Sequence, residues 1–341
     1  MKKITMTTPS GSSEITVGKD LSKGLRSLDP RPVLLVDEHV LCQHHDLFGD
    51  FEGVIIPAGE RFKTQDTVDR IHRELMALEV DRSSLLVGIG GGLATDVAGY
   101  VAATYLRGVR FGFVSSTLLG QVDASIGGKN GVNLDGYKNM IGTIRQPEFV
   151  WCDLSLLQTL AREEYIAGIA EVIKYGAIMD AGFLDYLETR MAALLDMDGE
   201  TLEEVVSRSA KNKVEIVEED EKEQGRRRLL NFGHTVGHAV ERNSNQLHGY
   251  AVSAGMVVAS RLSGKLGMLN PGDILRLESL LMAAGLPVEP WLDADSIFEN
   301  LRKDKKKSGK EIHFVLLEGL GNAVVRPIPL DELKTTLHDL C

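Results

Sequence analysis

The sequence has few cysteines and no long apolar segment. Its 341 residues include three cysteines, Cys42, Cys152 and Cys341, which are scattered and form no CxxC pair. This pattern excludes a disulfide framework and a cysteine metal site, and it is typical of reduced thiols. No apolar run reaches the roughly 18 residues of a membrane span, and the N-terminal segment lacks the apolar centre of a signal peptide. We therefore expect a cytoplasmic protein with no membrane partner.

The sequence also lacks an excess of positive charge. The formal net charge is −11 at pH 7, which argues against a nucleic-acid partner because such proteins present a basic surface. Small anionic ligands are compatible with this charge, since a local cluster of lysines and arginines can bind them in an acidic protein. The length is sufficient for two domains with sizeable cores.

Strand and helix patterns alternate in the first half of the chain. Four short apolar runs predict buried strands of an open parallel α/β sheet, namely Pro32–Asp37, Gly53–Pro57, Leu85–Gly92 and Phe111–Val114. From Trp151 onward helical patterns predominate, and strand patterns are nearly absent until His313–Leu317. We place the domain boundary at 150, which gives an α/β domain over 1–150 and an all-α domain over 151–341.

Gly90, Gly91 and Gly92 follow an apolar strand and precede a helix. Backbone N–H groups at such a helix start can bind a pyrophosphate, although the spacing is not the G-x-G-x-x-G fingerprint and a simple tight turn explains the glycines equally well. Asp37, at the end of an earlier strand, suits a ribose diol, but acidic residues at strand ends are common. The loop-like stretch 115–139 carries Asp123, Lys129, Lys138 and Asn139 among five glycines. Its lysines suit phosphate recognition, and a solvated surface loop is the alternative.

Histidines concentrate in the segment Leu230–Glu241 (LNFGHTVGHAVE). His234 and His238 are four residues apart, so a helix places them on one face, and counting back along that face gives Asn231 and Arg227. Such a polar stripe is costly to bury unless a metal, a phosphate or a polar substrate satisfies it. Exposed surface histidines are the alternative. His248, after a short polar break, can fold back to the same place.

Glu171 and Lys174 are spaced i, i+3 in a helix that is otherwise mostly apolar. An exposed ion pair explains the spacing, but charges on a buried helix need partners. One glutamate and two histidines make the three-ligand set of a catalytic zinc site. The spacing is not H-E-x-x-H, so it does not assign a metal by itself. Lys213 and the lysines at 305–307 are surface charges by default.

Several sequence blocks together closely resemble the 3-dehydroquinate synthase family. The resemblance covers roughly residues 30–320. Its blocks are, in order, GGGLATD, TLLGQVDASIGGK, YKNMIG, AEVIKYG, the histidine segment Leu230–Glu241, HGYAVSAGM and DKKKSGK. The resemblance implies a Rossmann-like NAD-binding α/β domain, a helical metal-binding domain, a site in the cleft between them, and a homodimer.

The resemblance also implies roles for individual residues. Glu171, His234 and His248 would bind one divalent metal, zinc or cobalt. The residues expected to bind NAD are Ala58, Gly59, Glu60, Arg61, Phe62, Lys63, Gly91, Gly92, Leu93, Ala94, Thr95, Asp96, Ser116, Thr117, Lys129, Lys138, Leu156, Leu157, Gln158 and Thr159. The residues expected to contact the substrate are Asp123, Lys129, Asn139, Lys174, Lys213, Arg227, Asn231, His238 and Lys306. Arg107 would reach the phosphate pocket of the neighbouring subunit.

The implied substrate is a sugar phosphate, 3-deoxy-D-arabino-heptulosonate 7-phosphate. The metal would polarise the hydroxyl that NAD oxidises; phosphate elimination, hydride return, ring opening and an aldol closure would then give 3-dehydroquinate without consuming NAD. His238 would hydrogen-bond the phosphate or shuttle a proton.

Three residues depart from the family pattern: Asn130 replaces a common Thr, Tyr137 a Gly and Tyr250 a Glu. None of them is an expected ligand. The alternatives are another sugar-phosphate cyclase, a metal-dependent NAD alcohol dehydrogenase of the glycerol type, and a non-catalytic NAD-binding regulator. Retention of Arg227, Lys213 and Asn231 favours a substrate with a carboxylate, which needs cationic partners.

Overall fold

The chain forms two compact units. The computed structural model describes residues 1–241, 246–291, 293–305 and 311–340. One unit contains Met1–Ala161 and Leu202–Lys222, and the other contains Arg162–Thr201 and Glu223–Cys341. The division differs from the expected boundary at 150, because the strand over 149–153 pairs within the sheet of the first unit and because 202–222 belongs to that unit as well.

The first unit is an α/β structure. Its strands are β1 (Lys2–Thr8), β2 (Gly11–Gly18), β3 (Val33–Asp37), β4 (Gly53–Ile56), β5 (Leu85–Gly90), β6 (Arg110–Ser115), β7 (Lys129–Leu134), β8 (Tyr137–Ile144) and β9 (Phe149–Asp153). Its helices before residue 161 are α1 (Glu38–Gln43), α2 (His45–Phe48), α3 (Gln65–Ala77) and α4 (Gly92–Thr104), with short 3₁₀ turns between elements.

A seven-stranded sheet forms the centre of this unit, in the order β1-β2-β9-β6-β5-β3-β4. β1 and β2 are antiparallel, and the other pairings are parallel. The strand order reverses between β3 and β5, so their carboxyl ends border the crevice where α/β sheets of this type bind ligands. All six residues of β5 are buried, as expected for a strand covered on both faces.

Close packing positions α4 against β5. A Cβ atom at Gly88 in β5 would lie 2.6 Å from the Cβ of Ala98 in α4. Gly90 has φ +153° and therefore allows the sharp turn from β5 into α4. The parallel strands and helices of the first half thus confirm the expected α/β fold.

The stretch 115–139 is more regular than the loop expected from its glycines. It contains a π-helical turn over Gly120–Ala124 and the strand β7, which pairs with β8 in an antiparallel ribbon. Gly131 and Gly142 face each other in this ribbon, and a Cβ at Gly131 would lie 2.5 Å from the carbonyl oxygen of Ile141. These glycines serve close strand pairing, which is why their number misled the loop prediction.

The second unit is mainly helical. It contains α5 (Arg162–Met179), α6 (Ala181–Leu195), the first residues of α7 (Gly199–Glu219), α8 (His234–Glu241), α9 (His248–Lys265), α10 (Pro271–Ala283), α11 (Ala294–Lys305) and α12 (Leu330–Leu340). An antiparallel ribbon of β10 (Glu311–Gly319) and β11 (Asn322–Pro329) accompanies the helices. Its residues Ile312, Phe314 and Leu316 pack in one core with side chains of α8, α9, α11 and α12, so the helical expectation holds apart from this hairpin.

Two further features concern the described part of the chain. None of its helices combines the length and apolar character that crossing a membrane would demand. Cys42 is an exposed free thiol and Cys152 a buried one, whereas Cys341 lies outside the described residues.

Candidate functional site

Three ligand-type side chains meet within the second unit. Glu171 lies in the middle of α5, while His234 and His248 are the first residues of α8 and α9. Oε1 of Glu171 lies 3.4 Å from Nε2 of His234 and 3.5 Å from Nε2 of His248. The three residues offer one ligand atom each within 4.8 Å of one another. This is the arrangement expected of a carboxylate and two imidazoles around one divalent cation.

The protonation states of the two histidines differ. Burial lowers the pKa of His234 to about 3. The charge of Glu171 works against this shift, whereas Lys174 and the other two histidines add to it. Burial also disfavours the charged ring of His248, but hydrogen bonds to Glu171 and Glu241 raise its pKa to about 9. His234 is therefore a neutral, ligand-ready imidazole over the ordinary pH range, and His248 is held by carboxylates.

Lys174 contacts Glu171 through Nζ and Oε2. The exposed fractions of the two side chains are 1% and 0%, which rules out the simple surface ion pair considered for this spacing. A buried carboxylate needs compensation by cations or hydrogen bonds. Lys174 supplies part of this compensation at Oε2, whereas both histidines face Oε1.

The continuous polar stripe predicted from Arg227 to His238 is wrong. Arg226–Asn231 forms a 3₁₀ turn, and α8 begins only at His234. Gly233 separates them with φ +79°, and a Cβ there would lie 2.6 Å from the carbonyl oxygen of Val252. Only His234 and His238 therefore share a helix, with ring centroids 5.3 Å apart.

Arg227 and Asn231 are held by the preceding 3₁₀ turn. Arg227 is buried to 1% exposure, and Nδ2 of Asn231 donates to Oε1 of Glu223 over 2.5 Å. Glu223 and Glu241 are not among the residues predicted from the sequence. Glu241 had a usable signal, because it follows His238 at i+3 on the same helix; Glu223 lies in a charged run that gives no such signal.

In the first unit, two predicted NAD-binding residues, Lys63 and Asp96, meet a predicted substrate contact, Asn139. Nζ of Lys63 donates to Oδ2 of Asp96 over 2.5 Å and to Oδ1 of Asn139 over 2.6 Å. Lys63 is buried to 5% exposure. Burial raises the pKa of Asp96, and Lys63 works against that rise. The segment 58–63, the start of α4 and the β7–β8 ribbon are thus linked by one buried cation.

The glycines after β5 lie beside the end of β6. The backbone N–H of Ser116 donates to the carbonyl of Gly90 over 2.9 Å, and a Cβ at Gly91 would lie 2.8 Å from Cγ2 of Thr117. The predicted segments 91–96 and 116–117 are therefore neighbours. Gly91 packs so closely against Thr117 that a side chain at this position would displace it.

Other predicted NAD-binding residues have structural roles. Oδ1 of Asp37 accepts from the N–H groups of His39 and Val40 and so caps α1. This capping role explains an acidic residue at the end of β3 even if it does not bind a ribose. Leu156 and Leu157 are 2% and 0% exposed, so both residues are buried in the unit. Thr159 Oγ1 lies 2.8 Å from Nε2 of His44.

The remaining predicted substrate contacts are divided. Lys213 in α7 contacts Asp123, and both side chains are largely buried. Lys129 and Lys138 are exposed on the ribbon. Arg107 is exposed in a turn where its φ is +66°. Lys306 lies outside the described residues.

Comparison with known proteins identifies the family. A 3-dehydroquinate synthase N-terminal model matches residues 53–167, and a C-terminal model matches residues 168–307. The chain belongs to the 3-dehydroquinate synthase family. It is 46% identical over 280 residues to 3-dehydroquinate synthase of Halorhodospira halophila, covering 81% of this chain and 79% of the relative. The corresponding enzyme of Nitrosospira multiformis is 45% identical over 276 residues, 80% of this chain and 75% of the relative.

Solved structures give the same fold. 2-Epi-5-epi-valiolone synthase from Streptomyces hygroscopicus subsp. jinggangensis, solved with NAD⁺ and Zn²⁺, has a TM-score of 0.86 and 27% identity, with 96% of each chain covered. A 2-deoxy-scyllo-inosose synthase, solved with carbaglucose-6-phosphate, NAD⁺ and Co²⁺, has a TM-score of 0.86 and 24% identity over 100% of both chains. A probable glycerol dehydrogenase from Sinorhizobium meliloti is more distant, with a TM-score of 0.67 and 14% identity.

The comparisons bear directly on the alternatives. The other cyclases and the glycerol-type dehydrogenase share the architecture, but they are far less similar in sequence than the 3-dehydroquinate synthases. The identification of the family from its sequence blocks is confirmed.

Proposed function

We propose that this chain converts 3-deoxy-D-arabino-heptulosonate 7-phosphate into 3-dehydroquinate and phosphate, with NAD regenerated in each turnover. The observation that carries the proposal is the group formed by buried Glu171 and the partly buried His234 and His248, in a chain that is 42–46% identical to several 3-dehydroquinate synthases. The reaction is a phosphate-eliminating lyase step of aromatic amino-acid biosynthesis.

The residues present fit one divalent cation. The donors are a carboxylate oxygen and two imidazole nitrogens, all within 4.8 Å, a set that suits zinc or cobalt and leaves a coordination position for substrate. When bound, the metal would polarise the hydroxyl to be oxidised, and NAD would accept a hydride from that carbon and return it after phosphate has left. Phosphate loss is followed by ring opening and an intramolecular aldol closure of the substrate.

This chain's own side chains would bind and orient the substrate. In the second unit these are Lys174, Arg227, Asn231 and His238, and we place Lys306 with them. In the first unit they are Asp123, Lys129, Asn139 and Lys213. The substrate carries a carboxylate and a phosphate, so guanidinium and ammonium groups are the expected partners. Lys213 is positioned by Asp123, and Asn231 is positioned by Glu223.

NAD binding is proposed for the crevice at the carboxyl ends of β3 and β5. Gly91 and Gly92 present the start of α4, where backbone N–H groups favour a pyrophosphate. Lys63, Asp96, Ser116 and Thr117 lie near this edge of the sheet through the contacts described above, and Lys138 precedes Asn139, which accepts from Lys63. We further propose a cytoplasmic homodimer in which Arg107 serves the partner's phosphate pocket.

One assay tests the reaction. Purified protein loaded with Co²⁺ or Zn²⁺ and given NAD and the heptulosonate phosphate should release inorganic phosphate without net formation of NADH. A dehydrogenase would instead form NADH in proportion to turnover. A cyclase of another specificity would act only on sugar phosphates without the carboxylate. Either result would refute the proposal.

A further inference from the structure

The ring of His248 lies between two carboxylates. Its Nε2 is 3.5 Å from Oε1 of Glu171, and its Nδ1 is 3.5 Å from Oε2 of Glu241. The two nitrogens are on different edges of the imidazole, so each carboxylate addresses a different nitrogen. Glu171 faces both histidines, since its Oε1 also lies 3.4 Å from Nε2 of His234. Glu241 faces the nitrogen of His248 that Glu171 does not address.

His234 shows what the second nitrogen of a ligand histidine requires. Its Nδ1 is 3.1 Å from the carbonyl oxygen of Phe232, while its Nε2 faces Glu171. A carbonyl oxygen only accepts hydrogen bonds, so Nδ1 must donate and the lone pair of Nε2 is directed to Glu171. The backbone thus orients His234. His248 begins α9 and has a carboxylate, Glu241, in the equivalent position.

Resting on the proposed metal-binding function, we propose that Glu241 is the positioning residue of His248: its carboxylate accepts the Nδ1 proton and directs Nε2 toward the cation held by Glu171 and His234. Carboxylate–histidine pairs of this kind fix the tautomer and the ring orientation and make the imidazole a more basic ligand. Glu241 is well suited to this role, because only 13% of its side chain is exposed.

The proposal gives α8 two functions. His234 at the start of the helix supplies a ligand directly, and Glu241 at its end orients the ligand supplied by α9. The two residues are seven apart, which places them on the same face two turns along. The orientation of α8 about its axis would therefore set the positions of both histidine rings.

The same residues raise one competing interpretation. His238, Glu241 and His248 also offer ligand atoms within 4.8 Å of one another, as a second cation site would. Both sets draw on His248. A positioning role requires one cation per chain, whereas a second site requires two, so the stoichiometry separates them.

Cobalt binding tests the inference, since Co²⁺ reports its ligand field through visible absorption bands. We would titrate metal-free wild type, Glu241→Ala, Glu241→Gln and the control Glu278→Gln with Co²⁺. Glu278 is comparably buried, at 14% side-chain exposure, and pairs with Arg261. We expect Glu241→Ala to weaken Co²⁺ binding by about 10- to 100-fold and to shift the visible bands. Glu241→Gln should lose less, because its amide oxygen still accepts, and Glu278→Gln should match wild type.

Each other outcome refutes a specific statement. Unchanged Co²⁺ affinity and spectrum in Glu241→Ala, with only a lower melting temperature, would make Glu241 structural. Two Co²⁺ ions per wild-type chain, falling to one in Glu241→Ala, would make it a ligand of a second site. A His234→Ala chain that still binds Co²⁺ with the wild-type spectrum would refute the proposed ligand set itself, independently of Glu241.

Discussion

Glu171 is the residue on which the metal-binding group depends most. It is fully buried and lies between Lys174 and the two histidines. Burying a carboxylate is costly unless cations and hydrogen bonds compensate it. Lys174 compensates from one side, and a divalent cation between the glutamate and the imidazoles would do so from the other. The contacts around this buried carboxylate are therefore stronger evidence for metal binding than the spacing of these residues in the sequence.

His234→Ala should abolish tight metal binding and catalysis while the protein stays folded. The imidazole is one of the three proposed ligands, and its low pKa of about 3 means that it is available as a neutral ligand at all ordinary pH values. The substitution is at the first residue of α8, where little helix structure depends on it. Metal content after gel filtration, measured by atomic emission, and the circular dichroism spectrum together check this expectation.

His338→Ala provides the matched control for that experiment. His338 is half exposed, in α12, and its partner is Asp295. The control should retain the metal content of wild type. Zinc retained by His234→Ala at the same level as by His338→Ala would mean that the ligand assignment is wrong.

Residue types alone predicted part of this group. The sequence suggested one glutamate and two histidines as a metal set, but only the resemblance to a family selected His248 rather than His238. The stripe through Arg227 failed because Gly233 adopts a left-handed conformation that ends one turn and starts another. Helical periodicity carries no information about such a break, since a glycine is also tolerated inside a helix.

At the scale of elements, close helix contacts hold the metal-binding side chains together. A Cβ at Gly249 in α9 would lie 1.9 Å from the carbonyl oxygen of Ala167 in α5. A Cβ at Gly255 would lie 1.9 Å from the carbonyl oxygen of Gly233, just before α8. The absence of side chains at these two positions lets α9 approach both neighbours. This close approach brings His248, the residue before Gly249, to Glu171.

Gly249→Ala should therefore destabilise the protein and weaken metal binding. The new methyl group would meet backbone, which cannot move aside as a flexible side chain can, and overpacking of this kind costs about 1–3 kcal/mol. Urea unfolding of the metal-free protein measures the free energy of unfolding, and Co²⁺ titration measures the affinity. Gly272→Ala is the control, because its only close neighbour is Oδ1 of Asn270 at 3.1 Å. Equal stability of the two variants would refute the packing argument.

Element prediction succeeded where periodicity was strong. The strands β3 to β6 lie close to their predicted positions, and the region predicted to be helical after Trp151 contains α5 and α6. The β7–β8 ribbon was missed because Gly131 and Gly142 face each other across the two strands. A glycine needed for close strand pairing and a glycine in a flexible loop look the same in a sequence.

For the whole molecule, the division into units depends on contacts between distant residues. The side chain of Lys2 contacts Glu204, Oε1 of Glu218 accepts from the N–H of Thr7 over 2.7 Å, and Glu221 accepts from Gln146 over 2.8 Å. These contacts attach 202–222 to the first unit. A boundary inferred from local composition could not include them, because the helix pattern of α7 resembles that of its neighbours.

Arg107 is the residue that we propose to act on a second copy of the chain. It is exposed, and both Leu106 and Arg107 have positive φ angles, 49° and 66°. Non-glycine residues in this conformation cost about 1 kcal/mol or more each and are retained mostly where function requires them. Leu106 is 41% exposed, so the turn also presents an apolar side chain. These features support the proposal that Arg107 acts on a partner subunit.

Heterodimers test this role of Arg107. Arg107→Ala and Lys174→Met should each be inactive as homodimers, because one lacks the partner's arginine and the other lacks its own lysine. In a dimer of one chain of each type, isolated with two affinity tags, the Arg107→Ala chain regains a complete site from its partner. Phosphate release should then recover to about half the wild-type rate, because two-fold symmetry leaves one of two sites intact. A heterodimer as inactive as its parents would show that Arg107 acts within its own subunit.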